Sequence, residues 1–164
     1  MSTLLEKART QNEPLPSGKN RKIGVVASEW NQPITNSLLK GATDMLLTAG
    51  VDEDDIIVEY VPGSVELTFG AKTVIEETSV HAVIVLGCVI QGETAHFDYV
   101  CDSVTQGVTA LNLEYDIPVI FGVLTTDNME QAEARAGGTH GNKGEDCAIA
   151  ALKMIALQER CRSL

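Results

Sequence analysis

Length, composition and charge set the first limits on this protein. The chain has 164 residues, 44% of them hydrophobic, which is typical of one soluble globular domain and argues against a disordered or membrane-embedded chain. Twelve Lys and Arg residues against 23 Asp and Glu residues give a net charge of −11. This charge disfavours nucleic acid or an anionic membrane as the main partner, although a local cluster could still bind a small anion.

The cysteines and the apolar runs predict an intracellular, cytoplasmic protein. The four cysteines lie far apart with no C-x-x-C pair, so zinc-ribbon and thioredoxin-type sites lack their required spacing. We expect free thiols in a reducing compartment. The first 22 residues contain no apolar core of a signal peptide, and nowhere do 18 apolar residues run together.

Strand and helix patterns alternate along the chain after a polar arm, residues 1–22. Short apolar runs predict strands over residues 23–27, 55–61, 82–90 and 118–124. Helical spacing predicts helices over residues 34–49, 67–75, 97–115, 127–136 and 142–157. This order predicts parallel strands with helices on both faces, an α/β/α domain at residues 23–158 followed by a tail at 159–164.

Polar and aromatic residues follow the predicted strands, at the sheet edge where ligands bind in such folds. Trp30 ends the first strand, Glu66 follows the second, and His96 follows the third. Each has a simple structural explanation: a surface aromatic, a carboxylate favoured by a helix dipole, and a solvated histidine. Their convergence at one edge favours a ligand site. The turn at residues 91–94 adds Gly92, which permits an unusual backbone angle, and amides that favour an anion.

A basic cluster follows the fourth strand. Arg135, His140 and Lys143 lie within nine residues of an acidic chain. They are explained either as cations at a helix end or as a phosphate clamp, because guanidinium pairs bidentately with phosphate oxygens. The nucleotide, serine-hydrolase and zinc-protease motifs are absent from the sequence.

Four stretches, read together, resemble the 6,7-dimethyl-8-ribityllumazine synthase family of riboflavin biosynthesis. The stretches are PGSVEL (62–67), LGCVIQGETAHFDYV (86–100), PVIFGVLTT (118–126) and EQAEARAGGTHGNKG (130–144). Their order and spacing match as well as their content. With the first strand, the resemblance covers about residues 20–158.

The resemblance implies a flavodoxin-like fold with a four-stranded parallel sheet and a transferase that needs neither cofactor nor metal. It implies condensation of 5-amino-6-(D-ribitylamino)uracil with 3,4-dihydroxy-2-butanone 4-phosphate, with release of phosphate and water. It also implies homopentamers, often twelve of them in a 60-chain shell, with the site shared between adjacent subunits. Riboflavin synthase is a candidate partner.

The resemblance also implies a role for individual residues in binding the pyrimidine and its ribityl chain. Trp30 takes the aromatic position that stacks on the pyrimidine. The ribityl chain is held by Ser64, Val65 and Glu66. The pyrimidine edge meets backbone groups of Cys88, Val89 and Ile90. Phe121 is expected to reach this site from the adjacent subunit.

The remaining assignments concern phosphate and proton transfer. Glu93 and Thr94 are expected to bind phosphate through backbone amides, and Arg135 to bind it from the adjacent subunit. Lys143 matches a lysine near the site, and His96 is the expected proton-transfer residue.

Three residues depart from the family pattern: Val65 stands where phenylalanine is common, Trp30 is larger than the usual phenylalanine, and Cys88 replaces a frequent threonine. None removes a group that the chemistry needs. Three alternatives are a non-catalytic shell or flavin-binding relative, an enzyme that dismutates the lumazine to riboflavin, and a signalling receiver domain. The last lacks its acidic cluster and its acceptor aspartate.

Overall fold

The computed structural model describes residues 14–164, and a four-stranded parallel sheet forms its centre. The strands are β1 (Ile23–Ser28), β2 (Ile56–Val61), β3 (Ala82–Ile90) and β4 (Val119–Thr126), in the order β2-β1-β3-β4. Most of β3 is buried because other strands flank it and helices cover both of its faces. All four strands occur where they were predicted.

Helices cover both faces of the sheet, which confirms the predicted three-layer α/β/α fold. They are α1 (Gln32–Thr48), α2 (Leu67–Glu77), α3 (His96–Glu114), α4 (Met129–Arg135) and α5 (Lys143–Arg162). A short 3₁₀ turn at Glu53–Asp55 precedes β2. Apolar residues of α1 and α5 pack on one face, and those of α2 and α3 pack on the other.

Polar side chains and glycines determine where several helices begin and end. After α1, Gly50 adopts φ +91°, the left-handed conformation that commonly ends a helix. Before α4, Asn128 Oδ1 accepts a hydrogen bond of 2.9 Å from the Gln131 amide. Before α5, Asn142 Oδ1 accepts one of 2.8 Å from the Gly144 amide.

The structure corrects the predicted chain ends. Helix α5 continues to Arg162, through most of the tail predicted at 159–164, and Glu159 forms an ion pair of 2.6 Å with Arg21. The Gly18 amide donates to the Ala49 carbonyl at 2.8 Å, so the last part of the predicted arm packs on the domain. Residues 1–13 of that arm lie outside the described residues.

A small antiparallel ribbon was not predicted. It joins Ala136–Gly138 to Gly141–Asn142, between α4 and α5. Two glycines allow this tight reversal, Gly137 at φ +104° and Gly141 at φ +80°. Segments of two or three residues are too short to show a periodicity, so the sequence indicated only that Gly137 and Gly138 end a helix.

The cysteines are free, as predicted. Cys88 and Cys147 are buried, and burial raises the pKa of their thiols to about 11 and about 12. Within residues 14–164, no helix combines the length and apolar character that crossing a bilayer requires.

Candidate active site at the carboxyl edge of the sheet

A cleft of about 570 Å³ opens where β1 and β3 end and where α2 and α3 begin. Most of the predicted site residues line it: Trp30, Ser64, Val65, Glu66, Cys88, Val89, Ile90, Thr94 and His96. The sheet edge that the sequence indicated therefore carries this cleft, in agreement with the position of ligand sites in parallel sheets.

The segment after β1 presents an aromatic ring and a left-handed asparagine. Trp30 is 72% exposed, so its indole face is open for stacking. Asn31 adopts φ +58° and starts α1, a conformation that asparagine tolerates better than most residues. Its Nδ2 donates a hydrogen bond of 2.9 Å to the Cys88 carbonyl, which joins the ends of β1 and β3 across the cleft floor.

The turn before α2 supplies a hydroxyl and a carboxylate. Ser64 is buried, whereas Val65 and Glu66 are exposed. Glu66 is the residue immediately before α2. The sequence pattern placed it inside the first turn of that helix. A Cβ built on Gly63 would lie 3.0 Å from Glu66 Oε2, so the carboxylate folds back over the glycine beside the cleft.

The turn between β3 and α3 carries the histidine. His96 is exposed and is the first residue of α3; its amide donates to Thr94 Oγ1 at 3.4 Å. The first amides of a helix lack partners within the helix, so this end of α3 suits an anion. Gly92 does not adopt a positive φ, so the turn does not use the left-handed conformation that this glycine permits. Nothing lies within 4 Å of a Cβ built on Gly92.

Four predicted site residues do not line the cleft of their own chain. Glu93 is exposed in the same turn, and Phe121 is partly buried on β4 among the apolar residues that face α2 and α3. Arg135 is exposed and donates from a guanidinium nitrogen to the Gln131 carbonyl at 2.9 Å. Lys143 is exposed, and its Nζ lies 3.6 Å from Asp146 Oδ2.

Comparisons with known proteins agree with one another. Residues 20–159 match the profile of the 6,7-dimethyl-8-ribityllumazine synthase family. The chain is 55% identical to the enzyme of that name from Porphyromonas gingivalis, over 89% of this chain and 91% of the relative. It is 58% identical to the one from Bacteroides fragilis, over 82% of this chain and 94% of the relative. The chain belongs to the 6,7-dimethyl-8-ribityllumazine synthase family. It is a transferase of riboflavin biosynthesis.

The cleft of this lumazine synthase family member includes residues that the sequence reasoning missed or assigned elsewhere. Asn31, Gly63, Phe97 and Val100 also line it. Phe97 and Val100 belong to the apolar stripe of α3, and the sequence reasoning gave them no role in the site. A hydrophobic periodicity identifies the inward face of a helix, but it does not separate the core from a cleft wall. Asn31 could have been suspected from its position between a strand and a helix.

Cys88 lines the cleft, and its thiol is buried. Burial raises the pKa of its thiol to about 11, so the thiol stays protonated near neutral pH. Its carbonyl already accepts from Asn31. The side chain therefore contributes volume to the floor, and the backbone contributes the polar contact.

Proposed function

We propose that this protein condenses 5-amino-6-(D-ribitylamino)uracil with 3,4-dihydroxy-2-butanone 4-phosphate to form 6,7-dimethyl-8-ribityllumazine. The observation that carries the proposal is the cleft itself, which brings Trp30, Glu66 and His96 to one edge of the sheet. These side chains supply a stacking surface, an acceptor for hydroxyl groups and a proton carrier. The two relatives described above are named for this activity, and the chain aligns with most of the length of each.

In the proposed complex the pyrimidine stacks on Trp30, because most of the Trp30 ring is exposed and available for contact. The ribityl hydroxyls donate to the Glu66 carboxylate and exchange hydrogen bonds with Ser64. Backbone groups of residues 88–90 meet the pyrimidine edge. This arrangement holds the amine against the ketone, and such orientation contributes up to about 7–11 kcal/mol by making a bimolecular step effectively unimolecular.

The proposed reaction needs several proton transfers. The amine attacks the ketone and forms an imine with loss of water, phosphate leaves by elimination, and the enol tautomerises. Ring closure by the second nitrogen then releases a second water. His96 is exposed to the cleft and is suited to these steps because imidazole accepts and donates protons near neutral pH. The amides at the start of α3, with Glu93 and Thr94, would bind the departing phosphate.

We further propose that the working unit is a cytoplasmic pentamer in which the adjacent subunit completes each cleft. The support is that Phe121 and Arg135 lie away from the cleft of their own chain. Phe69 and Tyr99 are 75% and 73% exposed, and large exposed aromatic side chains on helices are typical of a surface that another subunit covers.

Twelve pentamers would form a shell, and riboflavin synthase, which uses the lumazine, is the proposed partner. Lys143 is assigned to the vicinity of the phosphate.

The test is to mix the purified protein with both substrates and to follow lumazine absorbance together with phosphate release. Equal amounts of lumazine and phosphate are expected. A folded, oligomeric protein that forms neither would contradict the proposal and favour a flavin-binding or shell role. Supplying lumazine alone is the control for the riboflavin-forming alternative, and we expect no riboflavin from it.

A further inference from the structure

Ser28 places a hydroxyl behind the cleft with no visible partner. It is the last residue of β1, it is 0% exposed, and no other described residue hydrogen-bonds its Oγ. A buried hydroxyl without a partner is unfavourable, so such groups are rare in folded proteins and call for an explanation. Ser28 was not among the predicted site residues.

The sheet register places Ser28 beside Ser64, which does line the cleft. Side chains alternate along a strand, so Ser28 faces the same side as Val26, the side covered by α2 and α3. Ala27 pairs with Leu86, the last pair between β1 and β3, and the register continued by one residue sets Ser28 beside Gly87. A Cβ built on Gly87 would lie 2.8 Å from Ser64 Oγ. Ser64 Oγ therefore lies against Gly87 on the strand next to Ser28, and neighbouring strands of a sheet lie about 4.8 Å apart.

We propose that Ser28 is a positioning residue of the cleft: its hydroxyl donates to Ser64 Oγ, directly or through one buried water, when a ribityl chain is bound. The Ser64 hydroxyl is then free to donate its own proton to a ribityl oxygen. This inference rests on the proposed function, because that function supplies the ribityl ligand. Gly87 belongs to the arrangement, since any side chain there would push Ser64 away.

The arrangement predicts that Ser28→Ala weakens ligand binding without lowering the stability of the fold. No described residue hydrogen-bonds the Ser28 hydroxyl, so Ser28→Ala breaks no hydrogen bond between protein groups and does not lower the melting temperature. In the complex the same change removes a hydrogen bond that orients Ser64. A residue that served only the fold would lower stability and leave the binding of a folded protein unchanged.

The experiment measures binding of two ligands by fluorescence titration, 6,7-dimethyl-8-ribityllumazine and 6,7-dimethyllumazine, which lacks the ribityl chain. For Ser28→Ala we expect about three- to tenfold weaker binding of the ribityl compound, unchanged binding of the ring compound and an undiminished melting temperature. The matched control is Ser37→Ala, which removes a hydroxyl that donates to the Ala136 carbonyl. It should lower the melting temperature and leave both affinities unchanged.

A double variant tests whether Ser28 acts through Ser64. In a Ser64→Ala background, Ser28→Ala should have no further effect on ribityl binding, since the partner is already absent. Additive losses would overturn the proposed route. Equal ribityl affinity of Ser28→Ala and the unaltered protein would overturn the inference alone. If the unaltered protein bound no ribityllumazine, the proposed function would fail with it.

Discussion

The contact between α1 and α5 and the cleft at the carboxyl edge are built in opposite ways. At the helix contact, a Cβ added to Gly144 would lie 1.9 Å from the Leu38 carbonyl oxygen, and one added to Gly41 would lie 2.4 Å from Asn142. At the cleft, Gly92 has open space around it and Trp30 is largely exposed. The helix contact has no room for an added side-chain atom at these glycines, whereas the cleft has side-chain surfaces that are open to a ligand. The fold therefore depends on the first region, and ligand contacts can be made by the second.

The largest expected effect comes from the same substitution made in each region. Gly144→Ala places a methyl group against a backbone carbonyl, which cannot rotate away, so α1 and α5 must separate. We expect a loss of about 3 kcal/mol in unfolding free energy and little folded protein. Gly92→Ala is the control and should keep the melting temperature of the unaltered protein. Equal melting temperatures of both variants, measured by circular dichroism, would contradict the comparison.

The second effect concerns chemistry at the cleft without a change in the fold. His96 is exposed, so His96→Ala should leave the melting temperature unchanged and lower turnover by about 10²–10⁴-fold. The control is His81→Ala. His81 does not line the cleft, and its Nδ1 accepts a hydrogen bond from the Lys22 amide, which the substitution removes. That variant should lose stability and keep its turnover. An unchanged rate for His96→Ala would remove His96 from the proposed chemistry.

A third, smaller effect tests whether a residue outside the cleft of its own chain serves a neighbouring one. Arg135→Ala should raise the KM for the phosphorylated ketone about tenfold or more, because a charged hydrogen bond to phosphate is lost. The KM for the pyrimidine should not change. Arg160→Ala, at the exposed end of α5, removes the same charge and serves as control. A rise in the pyrimidine KM alone would show that the clamp assignment is wrong.

The smallest effect separates the buried thiols from the exposed one. With a pKa of about 11, the Cys88 thiol is ionised to about one part in a thousand at pH 8, and the Cys147 thiol, with a pKa of about 12, even less. Cys161 is exposed and should react with iodoacetamide first. The buried sites should become labelled only as the pH approaches their pKa values. Mass spectrometry of the labelled peptides measures this order, and early labelling of Cys88 would contradict its burial.

The sheet edge at which the cleft lies could be predicted from the sequence, but the contacts that shape the cleft could not. The order of the strands and turns placed Trp30, Glu66 and His96 at one edge, because parallel strands end together. The hydrogen bond from Asn31 to the Cys88 carbonyl joins residues 57 positions apart, and no local pattern indicates it. The same holds for Ser28, whose burial without a partner appears only once the strands are in register.

The sequence by itself determined the alternation of strands and helices and the family, and it predicted the residues to which the proposed chemistry is assigned. These follow from local periodicity and from motifs, which are properties of neighbouring residues. Only the tertiary structure decided that α5 continues to Arg162, that Gly144 has no room for a side chain beside the Leu38 carbonyl and that Asn31 donates to the Cys88 carbonyl. Such features depend on how segments distant in the sequence pack together, and a local sequence pattern does not predict those packing distances.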